Sequence, residues 1–405
     1  MMDKFNLQFF AEPGPVVTNP TLDRDRRAID CSKTITQLIP EADPYAVILM
    51  RARKEATDTA EFIWFDDEPV GWWTQINDST LNDASANTTT LYVNDASLFA
   101  VNDILKVPRT GEVLRVTEVT ATDVSQYVKV VRGYGTTTAA QILHEDWLMR
   151  IGNAMEENSN APASKLNQPQ KFTNYTQIVR TPFDESMTSA HEKKRVGGKE
   201  RTRLRAKKLL EHRLDIARIS LWGEKKEDLS SGKPRRMTAG INSFIQTNRK
   251  DAGGGLTEAE WENFLEMGFS YGSKTKLFVC SRTVGAAINM IAQSKIITTS
   301  GEETYGIRLP KYRSFHGDVI IAVDRSLENA YAGYGFLLDM KNIAYRPLNG
   351  RDTKLHSNIQ ANDVDGWVDE YLTEFGMTVR QEKTHAVLFG VTGFAAAGGA
   401  GGTGS

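Results

Sequence analysis

Residues 86 to 154 read as five short strands, and this all-β stretch interrupts a chain that otherwise mixes helices with strands. The strands are Thr90-Leu91-Tyr92-Val93, Ile104-Leu105-Lys106-Val107, Glu112 to Val119, Tyr127 to Arg132 and Trp147 to Ile151. Turn formers divide them at Asn94-Asp95, Asn102-Asp103, Thr110-Gly111 and Gly133-Tyr134-Gly135. Short strands at this spacing predict a small antiparallel barrel or sandwich. On one side stands an aromatic strand, Glu61-Phe62-Ile63-Trp64-Phe65, followed by Asp66-Asp67-Glu68-Pro69 and then Trp72-Trp73. On the other, beyond a polar stretch from Asn158 to Gln170, stands a strand from Phe172 to Arg180, ending at Thr181-Pro182. If the module is an insertion, these flanking strands pair with each other. A two-stranded ribbon is marginal in water, so this one is expected to lie on another surface. Trp72 and Trp73 are too apolar to be left bare on a monomer.

The rest of the chain carries a different pattern. Asp43-Pro44 has the form of a helix start, and Tyr45, Ile48, Leu49 and Ala52 follow at helical spacing within residues 33 to 53. One long helix is predicted from Gly198 to Trp222, with Leu210, Leu214, Ala217 and Leu221 on one stripe and Gly223 as terminator. Its first half is basic: Lys199, Arg201, Arg203, Arg205, Lys207, Lys208 and Arg213 stand against Glu200 and Glu211. With no recognised DNA-binding motif beside it, this face is expected to be solvated and to pair with acidic neighbours. Gly253 to Gly255 read as a linker, and Thr257-Glu258-Ala259-Glu260 as a capping box opening a helix through Trp261, Phe264, Leu265 and Gly268. A buried-type strand from Lys276 to Cys280, a helix from Arg282 to Gln293 and a second such strand from Asp318 to Val323 form an α/β unit. Strands return at Phe336 to Met340, Ile343 to Tyr345, Tyr371 to Arg380 and Thr384 to Val391.

The first 30 residues mix Phe5, Leu7, Phe9 and Phe10 with Pro13-Gly14-Pro15 and read as an extended arm that a neighbour orders. They have no signal-peptide pattern. No apolar run approaches the roughly 20 residues that span a bilayer. Two cysteines, Cys31 and Cys280, exclude a disulfide framework and suit a reducing compartment. A net charge of −2 lacks the basic excess that tight DNA binding needs.

The usual catalytic constellations are missing. There is no His-Glu-x-x-His and no Cys-x-x-Cys. Ser231-Gly232-Lys233 lacks the upstream glycine of a phosphate loop and is followed by Pro234, while Gly333-Tyr334-Gly335 precedes a strand, so both read as turns. Ser314, His316 and Asp318 lie two apart, and on a strand such positions sit roughly 6.5 Å from one another, too far for a direct relay. Asp66-Asp67-Glu68 has the charge for a cation, yet adjacent acids in a turn are ordinarily solvated. No catalytic residue, cofactor or metal is assigned, and a chain this long without a site points to a structural role.

Several phrases carry a family likeness. Phe5-Asn6-Leu7-Gln8-Phe9-Phe10-Ala11, Glu112-Val113-Leu114-Arg115-Val116 with Val131-Arg132-Gly133-Tyr134-Gly135-Thr136, and Thr176 to Phe183 leading to Arg205-Ala206-Lys207-Lys208 resemble tailed-phage major capsid proteins of the Hong Kong 97 type, in the branch with an inserted β module. The resemblance implies an α+β shell fold with an N-terminal arm (1–55) and extended-loop strands (56–85 and 155–190) that bear the module (86–154). It further implies a peripheral domain with a long spine helix (191–250 and 335–395) and an axial domain (251–334), while the Gly/Ala-rich composition of 396–405 predicts a disordered tail. It implies self-assembly into pentamers and hexamers of a DNA-filled head. A separate scaffolding protein, a portal and decoration proteins are the implied partners; packaged DNA is touched weakly, and no membrane is involved. Expected inter-subunit contacts are Phe5, Phe9, Phe10, Trp64, Trp72, Trp73, Phe172, Tyr175, Arg201 and Arg205. The rival readings are an encapsulin-like or other container, a hydrolase with a pocket near Ser314 to Asp318, and a nucleic-acid binder using Lys199 to Arg213.

Overall fold

The computed structural model describes residues 43–395 apart from 80, 82–85, 123–124, 161–167, 195–197, 231, 296–297, 300–302 and 305–306. Phe5, Phe9, Phe10, the arm before residue 43 and the tail after 395 lie outside the described residues. The chain forms two compact units, Ile63–Phe172 on its own and Met1–Phe62 together with Thr173–Ser405.

Helix α1 (Pro44–Arg51) comes first, with Pro44 at its first turn as the sequence predicts. It is part of the core and not of an arm. Tyr45, Ala46, Ile48 and Leu49 are buried, and the Tyr45 hydroxyl meets Ser220 Oγ at 2.8 Å. The stretch assigned to the arm, residues 1–55, therefore includes a packed helix. Strand β1 (Glu61–Asp66) follows. Next come β2 (Trp73–Gln75), β3 (Thr90–Tyr92), β4 (Asp103–Lys106), β5 (Val113–Ala121), β6 (Gln126–Val131) and β7 (Trp147–Asn153). The chain then continues through β8 (Gln170–Tyr175) and β9 (Gln177–Ser186). β1 pairs with β8, the ribbon expected from the sequence. The single strand expected from Phe172 to Arg180 is broken at Thr176, and β9 pairs elsewhere.

The inserted unit is a barrel. Its strands hydrogen-bond in the order β2-β7-β4-β5-β6-β3, and a bridge between Ile76 and Val93 joins the first strand to the last. The Asn94 amide donates to the Gln75 carbonyl at 3.0 Å and the Asn77 amide to the Tyr92 carbonyl at 2.9 Å across that seam. Closure leaves no long strand edge open to pairing. The barrel gains a strand, β2, that lies before the boundary drawn at residue 86; with three residues it is too short to show alternation. Leu91, Val93, Leu105, Leu114, Val116, Val128, Val130 and Leu148 fill the interior, each worth roughly 1.5–3 kcal/mol when fully buried.

One end of the barrel is closed by a buried ion pair. Glu112 takes hydrogen bonds from Arg132 Nε and Nη2, both at 2.8 Å, and from the amides of Gly133 at 2.9 Å and Ala140 at 3.0 Å. Side-chain exposure is 7% for Arg132 and 0% for Glu112. Gly133 sits at φ +57°, and a β-carbon there would lie 3.0 Å from the Ala139 nitrogen. Gly133→Ala is therefore expected to cost about 1–2 kcal/mol from the left-handed backbone alone, read as a lower melting temperature with the secondary structure unchanged.

The larger unit is built from α2 (Met187–His191), α3 (Glu200–Trp222), α4 (Ile241–Phe244), α5 (Glu258–Phe269) and α6 (Arg282–Lys295), together with strands β10 to β23. α3 is the predicted long helix and buries His212, Leu214, Ile216, Ala217, Ser220 and Leu221. Gly223 ends it for a different reason than expected. Its φ is −59°, not left-handed, and a β-carbon there would overlap the Thr238 carbonyl oxygen and stand 2.7 Å from that of Ile219. A hairpin of β10 (Lys226–Asp228) and β11 (Arg235–Met237) follows.

β12 (Arg249–Leu256) runs through the glycines expected to be a linker. It lies parallel to the last strand, with register shifts at Gly254 where φ reaches +137°. A glycine run can form such bulges because it lacks a Cβ. α5 carries the predicted capping box, with the Glu260 amide donating to Thr257 Oγ1 at 3.3 Å. β13 (Thr275–Cys280), α6 and the later parallel strand make the predicted α/β unit. Short strands β14 (Thr298–Thr299), β15 (Glu303–Thr304), β16 (Ile307–Arg308) and β17 (Lys311–Arg313) lead into that strand, β18 (Asp318–Val323). Last come β19 (Gly335–Leu338), β20 (Ile343–Pro347), β21 (Lys354–His356), β22 (Gly366–Val379) and β23 (Ala386–Phe394).

Two sheets organise this unit. One has the order β12-β23-β19-β13-β18-β17-β14; the other joins β20, β22 and β21, with β9 along β22. β19 and β23, assigned by sequence to the peripheral domain, are thus hydrogen-bonded into the sheet of the axial segment. The boundary drawn at 334 divides one sheet, because β19 is antiparallel to β13. The overall class is the expected α+β fold with a long helix and an inserted all-β module.

Candidate assembly surfaces

On β1 the side chains alternate, with Phe62 and Trp64 inward and Ile63 and Phe65 outward. Trp64 stacks on Phe172 with ring centroids 5.9 Å apart, so these two expected contact residues meet each other. Phe65 is 64% exposed. Tyr175 lies under the Lys225 ammonium at 5.2 Å.

In the barrel unit, Trp72 and Trp73 are 63% and 45% exposed. Trp73 pairs with Met149 across β2 and β7, and its ring meets Trp147 edge-on at 6.2 Å. Trp147 and Ile151 are also exposed. Leu148 points into the core while Trp147, Met149 and Ile151 take the outer face of β7. A strand apolar on both faces is suited to a buried setting on both. Trp147 and Ile151 share this exposed face and are absent from the contact set read from the sequence; the alternation of Trp, Met and Ile around Leu148 was the available signal.

The basic half of α3 is occupied within the chain. Arg201 and Arg205, one turn apart, both hold Asp369 of β22. Arg201 Nε donates at 2.8 Å, and Arg205 Nε and Nη2 donate at 3.0 and 2.8 Å. Asp369 is 1% exposed, and although burial alone would raise its pKa, the two guanidiniums and the Asn358 amide hold it down to about 2. Arg203 pairs with Glu200, and Lys207 and Lys208 with Glu211. This is the acid-paired face expected from the sequence.

The segment proposed for a hydrolase does not assemble one. Ser314 Oγ accepts from the His316 amide at 3.0 Å, His316 Nε2 lies 3.8 Å from Glu262, and Asp318 pairs with Lys311 at 2.6 Å. Cys280 is buried, and burial pushes its thiol up to about 12. Among the described residues no group of three or more His, Cys, Asp or Glu is placed to hold a metal, and no helix is long and apolar enough to cross a membrane.

The chain is similar to several known capsid and encapsulin proteins. A curated major capsid protein of Pseudomonas phage PaMx41 is 23% identical over 291 residues, which cover 68% of each chain. Among solved structures, the capsid of an empty GTA particle aligns over 91% of this chain and 96% of its own (12% identity, TM-score 0.46). The capsid of Myoviridae phage XM1 aligns over 91% and 98% (9% identity, TM-score 0.45). The holo-SrpI encapsulin complex of Synechococcus elongatus PCC 7942 aligns over 91% and 95% (11% identity, TM-score 0.46). The family model described as SU10 major capsid protein matches residues 14–392. The chain belongs to the SU10 major capsid protein family.

Proposed function

We propose that many copies of this chain close into a phage head as pentamers and hexamers, holding one another through the ribbon and the outer face of the barrel unit. The exposed tryptophan face carries this reading: Trp72, Trp73 and Trp147 are large apolar side chains left on the surface of a chain with net charge −2. Aromatic anchors dominate interface energies. Modest contacts repeated by symmetry give a shell far tighter than any one of them. The weak net charge suits a wall that packaged DNA slides past, since tight coating needs a basic excess. A separate scaffolding protein and a portal complete the head, and assembly takes place in the host cytoplasm.

The test compares the wild-type chain with W72A/W73A by sedimentation. The wild type is expected as fast-sedimenting particles. The variant is expected to lose them by at least about ten-fold, as loss of paired aromatic anchors implies, with its melting temperature unchanged. Particle yield equal to wild type in the variant would remove the tryptophan face from assembly.

A further inference from the structure

Asparagine followed by glycine occurs once in this chain, at Asn349-Gly350. The pair forms the turn that follows β20. The Arg351 amide donates to the Leu348 carbonyl at 2.8 Å, and Gly350 takes φ +78°, as a type II turn requires of its third residue. Both residues are exposed, and nothing stands within 4 Å of where a Gly350 β-carbon would be. Among the described residues the Gly350 amide donates to no acceptor. Its own carbonyl takes the Lys354 ammonium at 2.7 Å, and a cation so close favours the deprotonated amide. The contrast with the two Asn-Ser pairs is in the amide. The Ser159 amide is bound to the Glu156 carbonyl at 3.2 Å, and the Ser243 amide to the Gly240 carbonyl at 3.2 Å.

We propose that Asn349 is a site of spontaneous deamidation in the folded protein, and that its conversion loosens residues 53–58 from β20. The Gly350 nitrogen gives up its proton and attacks Asn349 Cγ. The N–Cγ bond forms, the Cγ–Nδ2 bond breaks, and Nδ2 leaves as ammonia with that proton, closing a cyclic imide. Water then opens the ring at either carbonyl and leaves aspartate or isoaspartate. The turn ends a short ladder. The Tyr345 amide donates to Arg53 at 2.9 Å, the Glu55 amide to Tyr345 at 3.0 Å, the Thr57 amide to Pro347 at 2.9 Å and the Asn349 amide to Thr57 at 2.8 Å. Beyond it, Asn349 Nδ2 donates to Asp58 Oδ1 at 3.0 Å. A carboxylate has no proton to give, so that bond is lost and two like charges face each other. Isoaspartate also lengthens the main chain by a carbon inside the ladder.

The purified full chain is incubated at neutral and at mildly alkaline pH and read by peptide mass spectrometry. Asn349 is expected to convert at least about ten-fold faster than Asn158 or Asn242, the barrier difference that one hydrogen bond supplies. The products should include isoaspartate, and the rate should rise with pH. It should also lie within about ten-fold of the rate in the urea-unfolded chain. A folded chain slower than that would show that the turn protects its asparagine, and would overturn the site. So would conversion of Asn158 or Asn242 ahead of Asn349. Asn349→Asp imitates one product, and hydrogen exchange at the Glu55 and Thr57 amides is expected to speed up in it. Adding Asp58→Asn removes the facing charge and should slow that exchange again. Unchanged exchange in Asn349→Asp would overturn the loosening.

Discussion

Glu112→Ala is expected to unfold the barrel unit, with a loss of about 3–5 kcal/mol, the usual result of breaking a buried ion pair from one side. The substitution takes the carboxylate away from Arg132, which is 7% exposed and keeps its bonds to the Thr88 and Ala140 carbonyls, and leaves the Gly133 and Ala140 amides without their acceptor. Burial pushes the Glu112 carboxyl up, yet Arg132 and these two amides outweigh it and keep the group ionised. Glu112→Gln keeps the shape without the charge and is expected to cost less. Hydrogen exchange read by mass spectrometry checks this: protection should vanish from β4, β5, β6 and β7 and persist along β22. Unchanged exchange in the barrel strands would show that the pair does not hold the barrel closed.

Asp369→Ala carries the second large effect, again about 3–5 kcal/mol, because Arg201 and Arg205 lose the carboxylate that ties α3 to β22. The same group sets an acid limit. Its folded pKa of about 2 lies below the ordinary aspartate value of 3.8. A depressed pKa contributes stability that is present above about pH 4 and is lost as pH falls toward 2, amounting to about 2 kcal/mol. Asp369→Asn should therefore lower the melting temperature at pH 7 and flatten the fall in stability between pH 4 and pH 2. An equally steep acid limb in the asparagine variant would assign that limb to other carboxylates.

What the sequence made legible, and what it hid, follows from the range of the interactions. The long helix, the capping box at Thr257, the α/β unit and the ribbon are local or pairwise patterns, and their residues announce them. The sixth barrel strand did not, because Trp73-Thr74-Gln75 points only Thr74 inward. The Gly253 to Gly255 run has a linker's composition and becomes an edge strand only through pairing with β23, far along the chain. Lys276 begins a strand that reads as buried. It is itself buried, donating to the carbonyls of Gly268, Tyr271 and Thr384 at 2.6, 2.8 and 2.6 Å, and burial draws its pKa down to about 8. Those acceptors come from three segments, which no spacing rule connects. Of the contact residues chosen by aromatic character, Trp72 and Trp73 are open on the surface, whereas Trp64 and Phe172 stack on each other. Exposure depends on which face of a strand a ring occupies: on β1, Trp64 faces inward while its neighbour Phe65 faces outward.

Negative-stain electron microscopy of the full chain, expressed alone and with the protein of its neighbouring gene, tests the central claim most directly. Uniform closed shells, or rings of five and six subunits, are the expected result. A monodisperse monomer in both preparations, across a wide range of salt and protein concentration, would contradict it.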